Sequence, residues 1–457
     1  MTNEIKKYKV NINNFLEKNK KIIMLLFLIL LFCYYSIWTV SQPYDSCPDE
    51  YMKWDICKYM FENNKLPRGD DPSIRNPIWG ISYAFQPIFT YMISTIFMKI
   101  VSIFTMNQFS LVVAARLVST ISMTLAIYFV IKIADKLFKN QTIYKMLFVG
   151  LIAFQPITAF LASYINNDST AVLATTMIIY LWILGLESNW KTKHCILLGL
   201  AIGFCALTYY NAYGYILCSI ILCLISVISN KMKCKEIWQK VLIVGLIAFM
   251  FAGWWFIRNA VLYNGDFLGI GIQNECGDKY ALDEYKPSTR MTIQKQGKTF
   301  IEMLFKEKWL KTTIISFVGI FGYHSIIMSP KIYYCYFAIW LIGGIGCLIN
   351  FKDLFIYKKE EKNKYLLNYI LVLSIIIPIG LSAVYSYFSD FQPQGRYIMG
   401  IIVPFTYFLV NGIKTILDKI VKNKKIRNII VGIIIALIIV ISFKALFSYI
   451  IPTYKGK

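Results

Sequence analysis

Apolar runs of eighteen or more residues recur along nearly the whole chain, and they exclude most folds at once. A run of that length forms a helix able to cross a hydrocarbon core of ~30 Å. Lipid offers no partner to a backbone N–H, so the crossing form is expected to be helical. Composition agrees: 57% of the 457 residues are hydrophobic and 16% are charged, against about 25% charged in a globular domain. The expected class is an all-α polytopic membrane protein, a single integral domain over residues 1–457.

Thirteen apolar segments stand out: 22–40, 81–105, 109–132, 142–163, 168–187, 194–210, 212–230, 241–257, 312–328, 332–350, 365–388, 397–416 and 428–449. If all thirteen crossed, the lysines at 136, 139 and 145, at 191 and 193, and at 231, 233 and 235 would break the positive-inside rule in three loops. If 81–105 and 312–328 lie in the interface or re-enter, every one of these loops turns cytoplasmic, as do Lys358 to Lys364 and Lys422 to Arg427. About eleven spans are therefore expected, with thirteen as the alternative, a cytoplasmic N-terminus and an outer C-terminus. Segment 22–40 has no small-residue cleavage site after it and reads as an uncleaved first span. The outer face then carries a first loop, 41–108, with interfacial helices, and a second large loop, 258–331. Long loops translocate largely regardless of charge, so the lysines of 258–311 weigh little.

The net charge of +23 points to short lysine clusters between spans and to anionic membrane lipids, with no nucleic-acid partner. Most of the eleven cysteines lie in apolar runs, where thiols act as small hydrophobes. Cys47 and Cys57 share one loop and could pair. There is no C-x-x-C, and His194 and His324 are far apart, so no metal site is expected.

Chemistry-bearing residues gather in the loops assigned to the outer face. Asp49 and Glu50 follow Pro48 at the start of a short interfacial helix, where acidic residues also serve as ordinary helix-start residues. Asn167 and Asp168 occupy a turn before a span, where Asp168 or Ser169 could simply cap the helix. Arg258 ends a span beside Trp254 and Trp255, as a snorkelling anchor would. Arg396 and Tyr397 open another span, and an arginine there suits a phosphate through a bidentate fork.

The ordered motifs P-D-E (48–50), N-P-x-W-G-x-S-Y (76–83), N-N-D (166–168), W-W-x-x-R-N-x-x-x-Y (254–263), S-F-V-G-x-F-G-Y (316–323) and Q-G-R-Y (394–397) resemble domain-of-unknown-function family 2142. These are predicted bacterial membrane proteins similar to the type C (GT-C) glycosyltransferases. Two departures stand out: Lys53 and Trp54 where the family often has His, and Val318 where it often has Trp. The resemblance implies a GT-C-like core and a sugar delivered on a polyprenyl phosphate to a hydroxyl of a glycan or other acceptor. By position, Asp49 would be the base and Glu50 its partner, with Asn167, Asp168, Arg258, Arg396 and Tyr397 binding substrate. A divalent cation as cofactor stays open.

The expected function is thus inverting glycosyl transfer at the outer face of a bacterial cell membrane. The alternative is a transporter or flippase for a lipid-linked glycan. Transporters often carry internal repeats and ionisable groups at mid-membrane; here no repeat is visible and the ionisable residues collect at one face.

Overall fold

The computed structural model describes residues 18–229 and 233–455. Residues 1–17 and Lys231, used above in assigning sides, lie outside the described residues.

Among the described residues, eight helices are long and apolar enough to cross a membrane. Among them are Lys20–Ser41, Gln108–Leu137, Asp168–Glu187, Cys234–Leu262 and Pro330–Ile349. Segment 142–163, expected as one span, is two helices, Thr142–Ala153 and Pro156–Leu161. Proline at 156 has no N–H to extend the preceding helix and starts the next one at its first position. Eleven crossings therefore require that broken pair, Thr192–Ala206 and Gly214–Ser229 to cross as well.

The two segments set aside are short. Segment 81–105 yields Phe89–Ser102, 14 residues, only ~21 Å at ~1.5 Å per residue. Segment 312–328 yields Trp309–Gly319 and then a hairpin pairing Ile320–Phe321 with Ile326–Ile327.

Ion pairs sort the connections by end. Lys20 and Lys145 both bind Asp135, at 2.7 and 2.9 Å, and Lys136 binds Glu187 at 2.6 Å. Lys240 reaches the Asn189 carbonyl at 2.9 Å, and Lys362 reaches that of Ser229. The lysine loops thus share one end of the bundle. Thirteen alternating crossings would have put Lys20 and Asp135 at opposite ends.

Small residues bring helices together where lipid supplies no hydrophobic drive. A Cβ on Gly346 would overlap the Gly412 carbonyl, and one on Gly412 the Gly343 carbonyl, so Pro330–Ile349 and Ile402–Ile420 meet backbone to backbone. Buried hydroxyls and indoles cross-link other helices: Thr39 with Thr120 at 3.1 Å, Tyr35 to the Ala153 carbonyl at 2.8 Å, and Trp182 to Ser219 at 3.0 Å. Each is worth about 1 kcal/mol net.

At the end opposite the lysine loops, 41–108 folds into the helices Glu50–Asn63 and Phe89–Ser102 with tight turns between. Loop 258–331 packs over it. The Arg75 guanidinium stacks 3.6 Å from the Tyr280 ring centroid, and Leu282 N–H donates to the Ile78 carbonyl at 3.0 Å. Gly80 adopts φ +66° against the backbone of Tyr280 and Ala281, where a side chain would collide.

Candidate functional site

The helix Glu50–Asn63 starts at Asp49, whose φ of 59° lies in the left-handed region and whose side chain caps no N–H. A non-glycine residue held there costs of order 1 kcal/mol or more, and here the strain is not offset by capping. The carboxylate turns instead toward the turn 392–397. Asp49 Oδ2 accepts from Arg396 Nη2 at 2.8 Å and lies 3.9 Å from Lys53 Nζ. Burial raises the Asp49 pKa, but the charges of Arg396 and Lys53, with hydrogen bonds from Arg396 and Tyr83, outweigh it and hold the carboxyl below its usual range. Asp49 keeps 31% exposure while Arg396 keeps 6%.

Arg396 is aimed by its neighbours. Nε donates to Gln394 Oε1 at 2.7 Å, and Nη2 is shared with the Tyr397 hydroxyl at 2.9 Å. That hydroxyl donates to Gln392 Oε1 at 2.5 Å. Gly395 N–H bonds Ser316 Oγ at 2.6 Å, and a Cβ at 395 would overlap the Phe317 backbone. The turn is therefore pinned by close approach of two chain segments.

Lys53 lies one turn beyond Asp49, 3% exposed. Its ammonium sits 5.6 and 5.7 Å from the ring centroids of Tyr83 and Tyr164. Its one backbone acceptor is the Pro48 carbonyl at 3.4 Å. Burial lowers its pKa against the pull of Asp49. Asp168, 4% exposed, opens the helix Asp168–Glu187, and its charge couples to Arg396 and Lys53. The capping expected of Asp168 or Ser169 falls to Asn166, whose Oδ1 accepts from Ser169 N–H at 2.9 Å. Two carboxylates and two cations thus interleave in one buried cluster.

The other sequence-selected residues lie as follows. Glu50 adjoins the cluster, fully buried, in a two-pronged pair with Arg116, both contacts 2.7 Å. Arg116 also donates to the carbonyls of Thr39, Gln42 and Pro43 at 2.7–2.9 Å, and Glu50 Oε1 accepts from Ile165 N–H at 3.1 Å. Asn167 is buried and donates to the Thr208 carbonyl at 3.3 Å. Tyr397 joins the cluster through Arg396. Arg258 does not: its Nη2 bonds the Pro67 carbonyl at 2.7 Å and its guanidinium covers Trp255, which braces loop 41–108 at another point. Cys47 and Cys57 are free thiols.

Four participants escape the sequence reading. Arg116 lies inside the apolar run 109–132, where an ionisable residue is itself a signal of a paired or functional group. Lys53 was noted only as a departure from the family pattern, though i+4 spacing puts it on the Asp49 face of the helix. Tyr83 closes a motif that was quoted without a role. His324 sits at the tip of the 320–327 hairpin, where Tyr323 donates to Asp45. Burial and the Arg396 charge push the His324 imidazole down to about 4, against a hydrogen bond to Gln394, so it is neutral near pH 7.

Residues 75–405 match the family described as predicted membrane protein (DUF2142). The chain belongs to this family. No curated protein matches it. Among solved structures it is similar to the archaeal oligosaccharyltransferase AglB from Archaeoglobus fulgidus in complex with an inhibitory peptide and a dolichol-phosphate. That match has TM-score 0.53 and 12% identity, covering 95% of this chain and 56% of that one. An Archaeoglobus fulgidus oligosaccharyltransferase tethered to an acceptor peptide containing the NVT sequon matches at TM-score 0.54 and 12% identity, over 95% of this chain and 55% of that one. A weaker likeness, TM-score 0.40 at 14% identity over 87% and 78%, is to ArnT from Cupriavidus metallidurans bound to undecaprenyl phosphate. The chain spans about half the length of AglB. The fold is GT-C-like and the protein is a polytopic membrane protein of that architecture.

Proposed function

We propose that this protein transfers a sugar from a polyprenyl-phosphate donor to an acceptor hydroxyl at the outer face of the cell membrane. One observation carries the reading. The Asp49 carboxylate, turned away from its own helix, meets Arg396 at 2.8 Å across 347 residues of sequence. That contact joins a proton acceptor to a phosphate-binding group at the loop end of a GT-C-like bundle. The dolichol-phosphate bound to AglB supports a lipid-phosphate donor here.

In the proposed reaction the acceptor O–H bond breaks and its proton passes to Asp49. The oxygen bonds the anomeric carbon, and the carbon–oxygen bond to phosphate breaks with its electron pair on the phosphate. The leaving polyprenyl phosphate gains negative charge, which Arg396 and Lys53 are placed to stabilise. Displacement at the carbon inverts its configuration. Asp168 balances the two cations, and Glu50 fixes the start of the helix that presents Asp49.

A divalent cation has no step in this scheme. Among the described residues no three His, Cys, Asp or Glu side chains gather as a metal set. Asp49 and Asp168 both face the cations Arg396 and Lys53.

Asp49→Asn keeps the shape and cannot take the proton. Transfer from a polyprenyl-phosphate sugar in membranes is expected to fall by about 10² or more, the scale of general-base loss. Full transferase activity in the variant would reject the assignment. Lipid translocation without formation of a glycosidic bond would favour a flippase instead.

A further inference from the structure

A carboxylate held on a guanidinium at 2.8 Å, with an ammonium 3.9 Å away, is a poor proton acceptor. The proposed transferase needs Asp49 as a base, so something must loosen that grip at the right moment. The geometry shows where the loosening can occur. Arg396 engages Asp49 through Nη2 alone, and Nη1 makes no hydrogen bond among the described residues. Its backbone is pinned at Gly395 and its Nε is held by Gln394, so the guanidinium stays while a partner is exchanged. Asp49 is the more exposed member of the pair, 31% against 6%. Glu50, the adjacent carboxylate, has no such freedom, because both its oxygens are held by Arg116.

We infer that the Asp49–Arg396 pair is a latch that the donor opens: the donor's phosphodiester takes the Arg396 fork, releases Asp49, and so activates the proton acceptor only when a sugar is present. This rests on the transferase reading above. A phosphodiester presents two oxygens to the planar fork and competes for it directly. Lys53 stays beside the freed carboxylate, and its charge is shared between Asp49 and the phosphate. Once Arg396 is occupied, the main force holding the Asp49 carboxyl low is gone and its proton affinity rises. Donor binding should therefore take up a proton in the acid range.

Other groups facing Asp49 bear on this. Lys53 lies on its own helix, Asp168 on the helix after the 166–168 turn, and His324 on the hairpin beside Arg396. The hydroxyls of Tyr83, Tyr91, Tyr164, Tyr209 and Tyr397 stay protonated across that range. His324 and the buried carboxylate of Asp168 are the other groups able to take up a proton there, so the test must separate both from Asp49.

The experiment is calorimetric binding of a polyprenyl-phosphate sugar to the detergent-solubilised full chain without acceptor, between pH 4 and 7, in buffers of different ionisation enthalpy. A diester does not itself titrate in this window. Expected is proton uptake that persists in His324→Asn and in Asp168→Asn and vanishes in Asp49→Asn, with wild-type affinity rising as pH falls. Asp49→Asn, which removes the competitor for Arg396, should bind donor tighter by about five- to tenfold, the scale of a partly exposed ion pair. A merely structural Asp49 would leave donor affinity unchanged or weakened. Uptake that survives in Asp49→Asn, or a wild-type protein that transfers sugar yet binds donor with no uptake, would overturn the latch and leave the transferase reading standing. Absence of both donor binding and transfer would overturn both.

Discussion

Asp49 and Glu50 are neighbours in sequence, both carboxylates, both paired with an arginine, and the two pairs differ in nearly every physical respect. Glu50 and Arg116 are 0% and 1% exposed, meet through two contacts of 2.7 Å, and have their remaining capacity filled by backbone groups. Asp49 and Arg396 meet through one nitrogen, with the carboxylate 31% exposed. A saturated, buried pair has nothing left to offer a ligand and serves to lock four segments together: the helix Gln108–Leu137 that carries Arg116, the end of Lys20–Ser41, the start of Glu50–Asn63 and the 164–166 turn. An unsaturated pair at the surface of the same lock retains acceptor and donor capacity. Under the proposed reading, hydrogen-bond saturation and exposure together separate the structural pair from the one offered to a ligand, where residue type alone does not.

The largest expected effect breaks the lock. Arg116→Ala leaves Glu50 as an uncompensated buried charge, which should cost about 3–5 kcal/mol of stability. Lower yield of folded protein and a reduced melting temperature in detergent would show it. Asp49→Asn should leave the melting temperature near wild type while abolishing most transfer. If the two variants lost stability equally, the contrast between lock and latch would fail.

A smaller effect is expected at the turn that aims Arg396. Gly395→Ala places a methyl group onto the Phe317 backbone, and overpacking of this kind costs about 1–3 kcal/mol. Because Arg396 would shift with the turn, the KM for a polyprenyl-phosphate sugar should rise together with the loss of stability. Arg396→Lys keeps the charge but loses the fork. It should weaken donor binding by about tenfold, one charge-assisted hydrogen bond's worth, with little change in melting temperature.

Much of this architecture was legible in the sequence because its physical cause is local. Lysine clusters assign loops to sides, and that bookkeeping alone singled out 81–105 and 312–328, whose longest helices have 14 and 11 residues. Pro156 carried a readable warning that 142–163 would break. Asp49 and Arg396 were legible as candidates because ionisable residues at span ends beside proline and glycine are few. Their contact was not, since nothing local couples positions 347 apart. Glu50 could not be told from Asp49, because the difference lies in Arg116, a distant residue hidden in an apolar run. Arg258 looked equivalent to Arg396 for the converse reason: both end or open a span, and only tertiary structure sends one to a carboxylate and the other to the Pro67 carbonyl.

The smallest expected effect concerns His324 and sharpens the comparison through pH. Folding moves its pKa from 6.5 down to about 4, first by burial and then by the Arg396 charge. Between those values the unfolded chain binds a proton that the folded chain does not, so stability should rise with pH across about 4 to 6.5. Asp49 acts in a different window. Its folded pKa lies below 3.8, so its stabilising contribution is complete above the unfolded value and is lost only as pH falls through the folded one. His324→Asn should therefore flatten the melting temperature between pH 4.5 and 6.5, leave it near wild type at pH 7.5, and change transfer at neutral pH by less than about threefold, as expected for a neutral group outside the proton transfer. An unchanged slope in His324→Asn would mean that the imidazole is already charged beside Arg396. The hairpin would then carry a third cation over the site, and the latch would have to open against it.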